Sequence, residues 1–308
     1  MLQISVQLGL VLGVLVTFLL GPGLAVVFLA LRKRRRKARR RSPIGINLLR
    51  SPGHTVRERL EEQSHDLMSE VYLLSSIPLT MLALFLAQAH VRGLSNMAHL
   101  IPVYVVVVLG FVACFVWRVL KAGERLDRLR AGFDAELAVG QELDQLMRQG
   151  AVVFHDFPAE NFNIDHIVIA HQGVFAVETK GYTKRTDISG RAAATVAFDG
   201  QVLEFPTWTT SEPLQQAERQ AQWLTQWAGS ALGDSSIKVT PVLALPGWFV
   251  KRAGRGPVRV LSGRELGRLL GERGVQAISE QDVQRLAHQV EQRCRTVVPT
   301  DRQSAGVK

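Results

Sequence analysis

The first 31 residues of this 308-residue chain carry no charged side chain, and nine of the ten that follow (residues 32–41) are Lys or Arg, Ala38 being the exception. At 1.5 Å per residue, about 20 helical residues cross the hydrocarbon of a bilayer, so residues 5–31 are long enough to span it. Gly21-Pro22-Gly23 interrupts the run and is expected to kink the helix. A cleaved signal peptide carries its positive charge ahead of the apolar run. Here the charge follows it, which favours a retained span.

Two further apolar runs lie close together. Residues 67–90 are apolar apart from Glu70 near their start, and residues 99–120 include Val105-Val106-Val107-Val108 with no charge before Arg118. The connection at 91–98 has Arg92 as its one basic residue, so the pair reads as two spans joined by a short loop. Basic residues stay on the cytoplasmic side of a membrane. With the block at 32–41 inside, the N-terminus faces out, the second and third spans go out and return, and Lys121, Arg125, Arg128 and Arg130 also fall inside. The expected location is a bacterial inner membrane, with the chain from Lys121 onward cytoplasmic. No ionisable residue lies deep in any of the three spans, which argues against a transport pathway.

The formal charge of +10 comes from that one block: without its nine residues the chain holds 28 basic against 27 acidic side chains. The block therefore reads as a topology determinant rather than a nucleic-acid surface. A hydrophobic content of 47% excludes a disordered chain. Neither Cys114 nor Cys294 stands in a metal-ligand spacing, so no zinc or disulfide framework is implied.

In the cytoplasmic part, Phe133, Leu137, Leu143, Leu146 and Met147 recur at helical spacing over 133–148. Ala151-Val-Val-Phe154 reads as a buried strand. The runs Asn163-Ile-Asp-His-Ile-Val-Ile-Ala170 and Val174-Phe-Ala-Val-Glu-Thr-Lys180 flank a glycine-containing turn and predict a β-hairpin. Alternation puts Asp165, Ile167 and Ile169 on one face of the first strand, with His166 on the other, and puts Glu178 and Lys180 together on the second. A Gln172-Gly173 turn sets Asp165 opposite Lys180, and a His171-Gln172 turn sets it opposite Glu178. Either register gathers Asp165, Glu178 and Lys180 on one face.

Two carboxylates and an ammonium suit hydrolysis at phosphorus. Carboxylate oxygens hold a hard divalent cation, which polarises phosphate and activates water, while the lysine balances developing charge. His155, His166 and His171 do not converge in this pattern and read as structural or surface groups. Trp208, Trp223 and Trp227 are candidates to stack on bases, although the latter two stand at helical spacing and suit a core. A helix is expected from Ser211 with Leu214, Ala217, Ala221, Leu224 and Trp227 on one face, then a core strand over 239–245. Helices are predicted near 263–271 and 280–295 from the capping arrangements Ser262-x-x-Glu265 and Ser279-x-x-Asp282, and residues 300–308 read as a disordered tail.

The runs Ala135-Glu136-x-x-Val139-x-x-x-Leu143-x-x-Leu146, Asn163-Ile-Asp-His-Ile-Val-Ile and Gly173-Val-Phe-Ala-Val-Glu-Thr-Lys180 resemble the NERD (nuclease-related) domain family over residues 131–245. That family is similar to the PD-(D/E)xK nucleases. The resemblance implies an α/β (α+β) fold, a nuclease-like mixed sheet flanked by helices, here preceded by three predicted transmembrane helices. It implies metal-holding roles for Asp165 and Glu178, a catalytic role for Lys180, and a site role for Glu136 on the first helix. Gln216 matches the family's later glutamine, with Gln215 the alternative if the helix register differs by one. Two positions depart from the family: Ala135 stands where Gly is common, and Gly181 where Asn commonly follows the lysine.

The expected organisation is a first span at 1–31, a basic linker at 32–66 containing a short surface helix at 55–65, a hairpin at 67–120, a nuclease-like domain at 121–250, and a helical extension at 251–308. The expected function is that of a membrane-anchored nuclease dependent on Mg²⁺ or Mn²⁺, acting on DNA or RNA. The alternative is a non-catalytic membrane-anchored module that binds nucleic acid or protein with the same fold. The near balance of 23 basic and 22 acidic residues over 121–308 is a weak footprint for backbone binding, left to a local patch at Lys180, Lys184, Arg185 and Arg191.

Overall fold

The computed structural model describes residues 28, 31, 44, 46–93, 98–184, 187, 190–233, 236–271 and 276–299. The chain divides into two compact units: Ile46–Leu60 with Asp127–Val298, and Glu61–Leu126 with the two chain ends.

In the second of these, residues 61–92 of helix α1 (His54–Arg92) and residues 101–126 of helix α2 (Ile101–Asp144) form a hairpin. The Arg118 guanidinium bonds Glu70 Oε1 at 2.8 Å, and Phe85 stacks on Tyr104 with centroids 5.1 Å apart. Among the described residues, Ile101–Gln149 is the one helix long and apolar enough to cross a membrane, and its apolar stretch is wholly unburied. The three expected spans are therefore not shown. The run at 67–90 lies within α1, and Thr80–His90 is its apolar stretch among the described residues. The first span and the basic block fall outside the described residues, apart from Phe28 and Leu31. The helices expected at 99–120 and 133–148 are one helix of 44 residues ending in a 3-10 turn, Gln145–Gln149, since Pro102 in its first turn is its only proline.

The other unit is built on a five-stranded mixed sheet. Its order is β1 (Val152–Pro158), β2 (Asn163–Ala170), β3 (Gly173–Thr179), β7 (Val239–Leu245), β9 (Arg259–Ser262). The first three strands run antiparallel, and β7 and β9 continue parallel to β3. Both faces are covered, which is why β2 and β3 read as nearly unbroken apolar runs. On one face Ile167, Ile169, Val174 and Ala176 meet Leu224 and Ala228 of helix α3 (Glu212–Leu232), and Val283, Leu286 and Val290 of helix α4 (Glu280–Cys294). On the other, Val168, Phe175 and Val177 meet Val139 and Leu143 of α2, with Leu266, Leu269 and Leu270. The last three lie in Gly263–Gly271, which folds as a 3-10 helix rather than the expected α-helix; glycine at 263, 267 and 271 favours a short, tight winding over a regular one. A smaller four-stranded sheet, ordered β6 (Thr209–Thr210), β5 (Leu203–Glu204), β4 (Thr195–Phe198), β8 (Phe249–Arg252), packs its own core of Phe198, Phe205 and Trp248 against Leu243 and Leu245.

The boundaries expected from sequence differ from those of the structure at both ends of this unit. Residues 46–60, read as linker, belong to the sheet unit: Leu48 pairs with Val297, and Gly53 packs under Phe133. Residues 251–298, read as an extension, supply β9, which hydrogen-bonds to β7, and α4, which covers a sheet face. The chain thus enters this unit, leaves it for the helical hairpin, and returns at Asp127.

Candidate active site

The β2–β3 turn is His171-Gln172, because Ala170 pairs with Gly173 and His166 with Val177. Continuing that register sets Asp165 opposite Glu178, the second of the two alternatives. Asp165 Oδ2 accepts a 2.7 Å hydrogen bond from the Thr179 amide, so its carboxylate reaches across to the end of β3. Glu178 is 2% exposed and spends both oxygens: Oε1 on the Lys180 ammonium at 2.7 Å, Oε2 on the Gln220 amide at 2.7 Å. Lys180 Nζ also donates to Gln216 Oε1 at 2.9 Å, while Gln215 bonds Ser211 at the start of its own helix. Gln216 is therefore the glutamine at the site. Gln220, one helical turn on, was not singled out from the sequence, although its i,i+4 spacing from Gln216 puts it on the same helix face. Its amide also reaches the Asn163 carbonyl at 3.3 Å, and its own oxygen is buried without a hydrogen-bond partner.

Glu136 comes to this cluster from α2. Burial raises its carboxyl to about 7, and the charges of Asp156 and Glu178 add to the shift, against opposition from Lys180 and Arg59. Asp165 is likewise held well above the usual carboxylate range by burial, then by Glu178 and Glu136. Burial pulls the Lys180 ammonium down, but the hydrogen-bonded Glu178 and the nearby Asp165 outweigh it, and the net shift is upward. The balance favours the charged form of Lys180. Three carboxyl groups lie around one half-buried ammonium, and Glu136 and Asp165 hold their protons more tightly than free carboxyls, which an added cation would reverse.

The sign of the Glu136 shift makes a stability prediction. A carboxyl whose folded pKa lies above its unfolded value binds more protons when folded, so stability falls as pH rises between the two. From 4.5 to about 7 the loss is about 3 kcal/mol at most. Glu136→Gln is expected to match the parent near pH 4.5 and to exceed it in urea denaturation at pH 8 and above; a difference that does not grow with pH would contradict this placement of Glu136.

The close approach of α2 to β3 accounts for the two departures noted above. A Cβ at Gly181 would stand 2.6 Å from the Ala131 carbonyl oxygen and 2.7 Å from the Ala135 Cβ. The methyl that Ala135 adds on the helix therefore fills space left by the missing side chain at 181, and Glu136 stays beside the carboxylates.

The histidines lie elsewhere. His155 Nδ1 meets His166 Nδ1 at 2.9 Å, and His155 Nε2 meets Asp144 Oδ1 at 3.0 Å, bracing α2 against β1 and β2 on the opposite sheet face from Asp165. Burial holds both imidazoles below their usual range, with His155 adding to the effect on His166. If His155 donates to Asp144, His166 donates to His155, and His166 Nε2 is left a bare acceptor; it is indeed buried and unpartnered. His171 is exposed at the turn.

Asp156 was also missed. Its backbone is left-handed (φ 50°), and Oδ2 accepts from Arg50 at 2.8 Å, the Thr55 amide at 3.1 Å and the Thr55 hydroxyl at 2.7 Å; Oδ1 accepts from Asn163 at 3.1 Å. This buried carboxylate pins residues 46–60 and the start of α1 to β1.

Residues 131–246, a little over a third of the chain, match the NERD family model, whose description is nuclease-related domain. The match spans Glu136, Asp165, Glu178, Lys180 and Gln216, and supports a nuclease-related function for this region. No curated protein and no solved structure matches the chain.

Proposed function

We propose that this chain is a membrane-anchored, divalent-metal-dependent phosphodiesterase of the PD-(D/E)xK type, with its nuclease-related region on the cytoplasmic side. The observation that carries the reading is the convergence of Asp165, Glu178 and Lys180, held by Gln216 and Gln220, inside the region that matches the nuclease-related family. The anchoring rests on the apolar helix Ile101–Gln149, and the sidedness on the basic residues that flank the apolar runs.

The donor set fits Mg²⁺ or Mn²⁺. It is oxygen throughout, with Asp165, Glu178 and the unpartnered Gln220 oxygen. Among the described residues no three His, Cys, Asp or Glu side chains converge to chelate a metal by themselves. Mg²⁺ is ordinarily held by one or two carboxylates, completed by water and by substrate phosphate. Asp165 and Glu178 would hold the ion, which supplies charge neutralisation at the phosphate and a more acidic water. The chain's own groups do the rest. Glu178 and Gln216 fix the ammonium of Lys180, a quarter of whose side chain is exposed. That cation sits where negative charge builds on the phosphoryl oxygens as water attacks and the P–O bond to the leaving group breaks. Gln220 keeps Glu178 oriented, and the Thr179 amide keeps Asp165 oriented.

The test is cleavage of plasmid and single-stranded substrates by the detergent-solubilised full chain, with Mg²⁺, Mn²⁺ or chelator, beside Asp165→Ala. Metal-dependent cutting that is lost in the variant is expected. A folded protein that neither cuts nor binds metal returns the chain to the non-catalytic binding reading.

A further inference from the structure

Trp208 closes the short connection between β5 and β6, where the Phe205 amide donates to the Trp208 carbonyl at 2.8 Å. Its indole lies parallel to Phe205, with centroids 4.1 Å apart and planes within 8°. Tyr182 meets Trp208 edge-on at 4.8 Å and Phe205 at 5.2 Å. Trp248 supports the stack from below: it meets Phe205 at 4.9 Å, and its ring N–H donates to the Tyr182 carbonyl at 3.1 Å. Were Tyr182 on the face of Trp208 opposite Phe205, its ring would stand much farther from Phe205 than 5.2 Å. Tyr182 therefore flanks the pair, and neither ring covers the outer face of the indole. Phe205 and Trp248 are buried, whereas Trp208 is 37% exposed. The result is a rigidly backed aromatic surface whose outermost ring, Trp208, is partly open to solvent.

Its position matters as much as its shape. Tyr182 lies two residues beyond Lys180, and its phenol is pushed up by burial, with Glu212 and Glu178 adding and Lys180 opposing, so the stack is within electrostatic reach of the carboxylate site. Cations are interleaved with rings on the same small sheet. The Lys184 ammonium lies over Trp248 at 5.7 Å, and at the far edge strand the Arg191 guanidinium lies over the exposed ring of Phe249 at 5.0 Å. Exposed rings with cations nearby are the chemistry that holds a single nucleic-acid strand: bases stack on rings, and phosphates pair with the cations.

We propose that the open face of Trp208 is a stacking platform for an unpaired nucleobase, and that the substrate strand reaching Asp165, Glu178 and Lys180 is single-stranded. In a duplex both faces of each base are taken by its neighbours, so a fixed indole gains nothing from it; an unpaired base offers a free face. Stacking reads no base edge, so the platform takes DNA or RNA without choosing sequence. The inference rests on the nuclease reading of the adjacent site.

Binding separates the two. The full chain in detergent, with chelator present so that nothing is cut, is titrated with a short single-stranded oligonucleotide carrying 2-aminopurine, with its duplex, and with an abasic strand of equal length. The parent is expected to quench the aminopurine and to bind the single strand more tightly than either control. Trp208→Ala is expected to lose the quench and weaken single-strand binding about 5- to 150-fold, the loss of one stacked base, with abasic binding unchanged; Trp208→Phe keeps part of both. Equal affinity for the abasic strand or the duplex, or an unaltered Trp208→Ala protein, overturns the platform. A protein that stacks bases but never cuts them retires the nuclease reading alone. One that cuts, with Trp208→Ala binding the strand as the parent does, retires the platform alone.

Discussion

On the nuclease reading, replacing Lys180 with Gln is expected to lower the single-turnover rate of phosphodiester cleavage by about 10²–10³-fold, the usual cost of removing one preorganised charge from a developing anion. The choice of Gln is deliberate. Glu178 is 2% exposed, and an apolar residue at 180 would strand its Oε1 in the interior, whereas an amide still donates to it. The loss is therefore one of rate with the fold retained, and circular dichroism of the variant matches the parent. Lys180 opposes the upward shift of Glu136 and Asp165, so its loss is expected to move the acidic limb of the pH dependence upward. An undiminished rate would remove Lys180 from the chemistry.

Asp156→Ala destabilises the sheet unit by about 3–5 kcal/mol in urea denaturation, because it strands the Arg50 guanidinium, the Thr55 amide and the Asn163 side chain, which converge on one carboxylate. The pair is well buried, with side-chain exposures of 16% for Arg50 and 4% for Asp156, so solvent does not take over the lost contacts. Asn tolerates the left-handed backbone that position 156 adopts, and Asp156→Asn is expected to lose less than half as much. Equal losses in the two variants would mean that charge alone matters there and geometry does not.

Local pattern revealed the centre of the fold. The β2–β3 hairpin, the core strand β7 and the helix from Ser211 follow from periodicity and turn residues, and the residues expected to share a face with Asp165 do so. The turn register was open because two adjacent residue pairs fit the same hairpin, and only the observed ladder separates them. What sequence could not reach were contacts between distant segments. Leu48 pairs with Val297 through a single bridge, and Arg50 finds Asp156 across 106 residues; neither segment carries a periodic pattern. Residues 46–60 read as linker until the partners of Leu48, Arg50 and Thr55 are seen. Gly263–Gly271 shows the reverse limit: Glu265 does bond the Ser262 amide as the capping pattern implied, but the segment winds as a 3-10 helix rather than an α-helix.

The return path of the chain also bears on how such a protein is made. Since Ile46–Leu60 and Asp127–Val298 together form one unit, the intervening hairpin is an excursion that begins and ends in the same folded body. On a ribosome the first piece waits, unsatisfied, until both helices and the whole sheet have been synthesised, with α4 the last to arrive. A fragment begun after the apolar helices would lack Arg50 and Thr55 and leave Asp156 without the partners that cap it. The sheet unit of this molecule is therefore not detachable by a single cut.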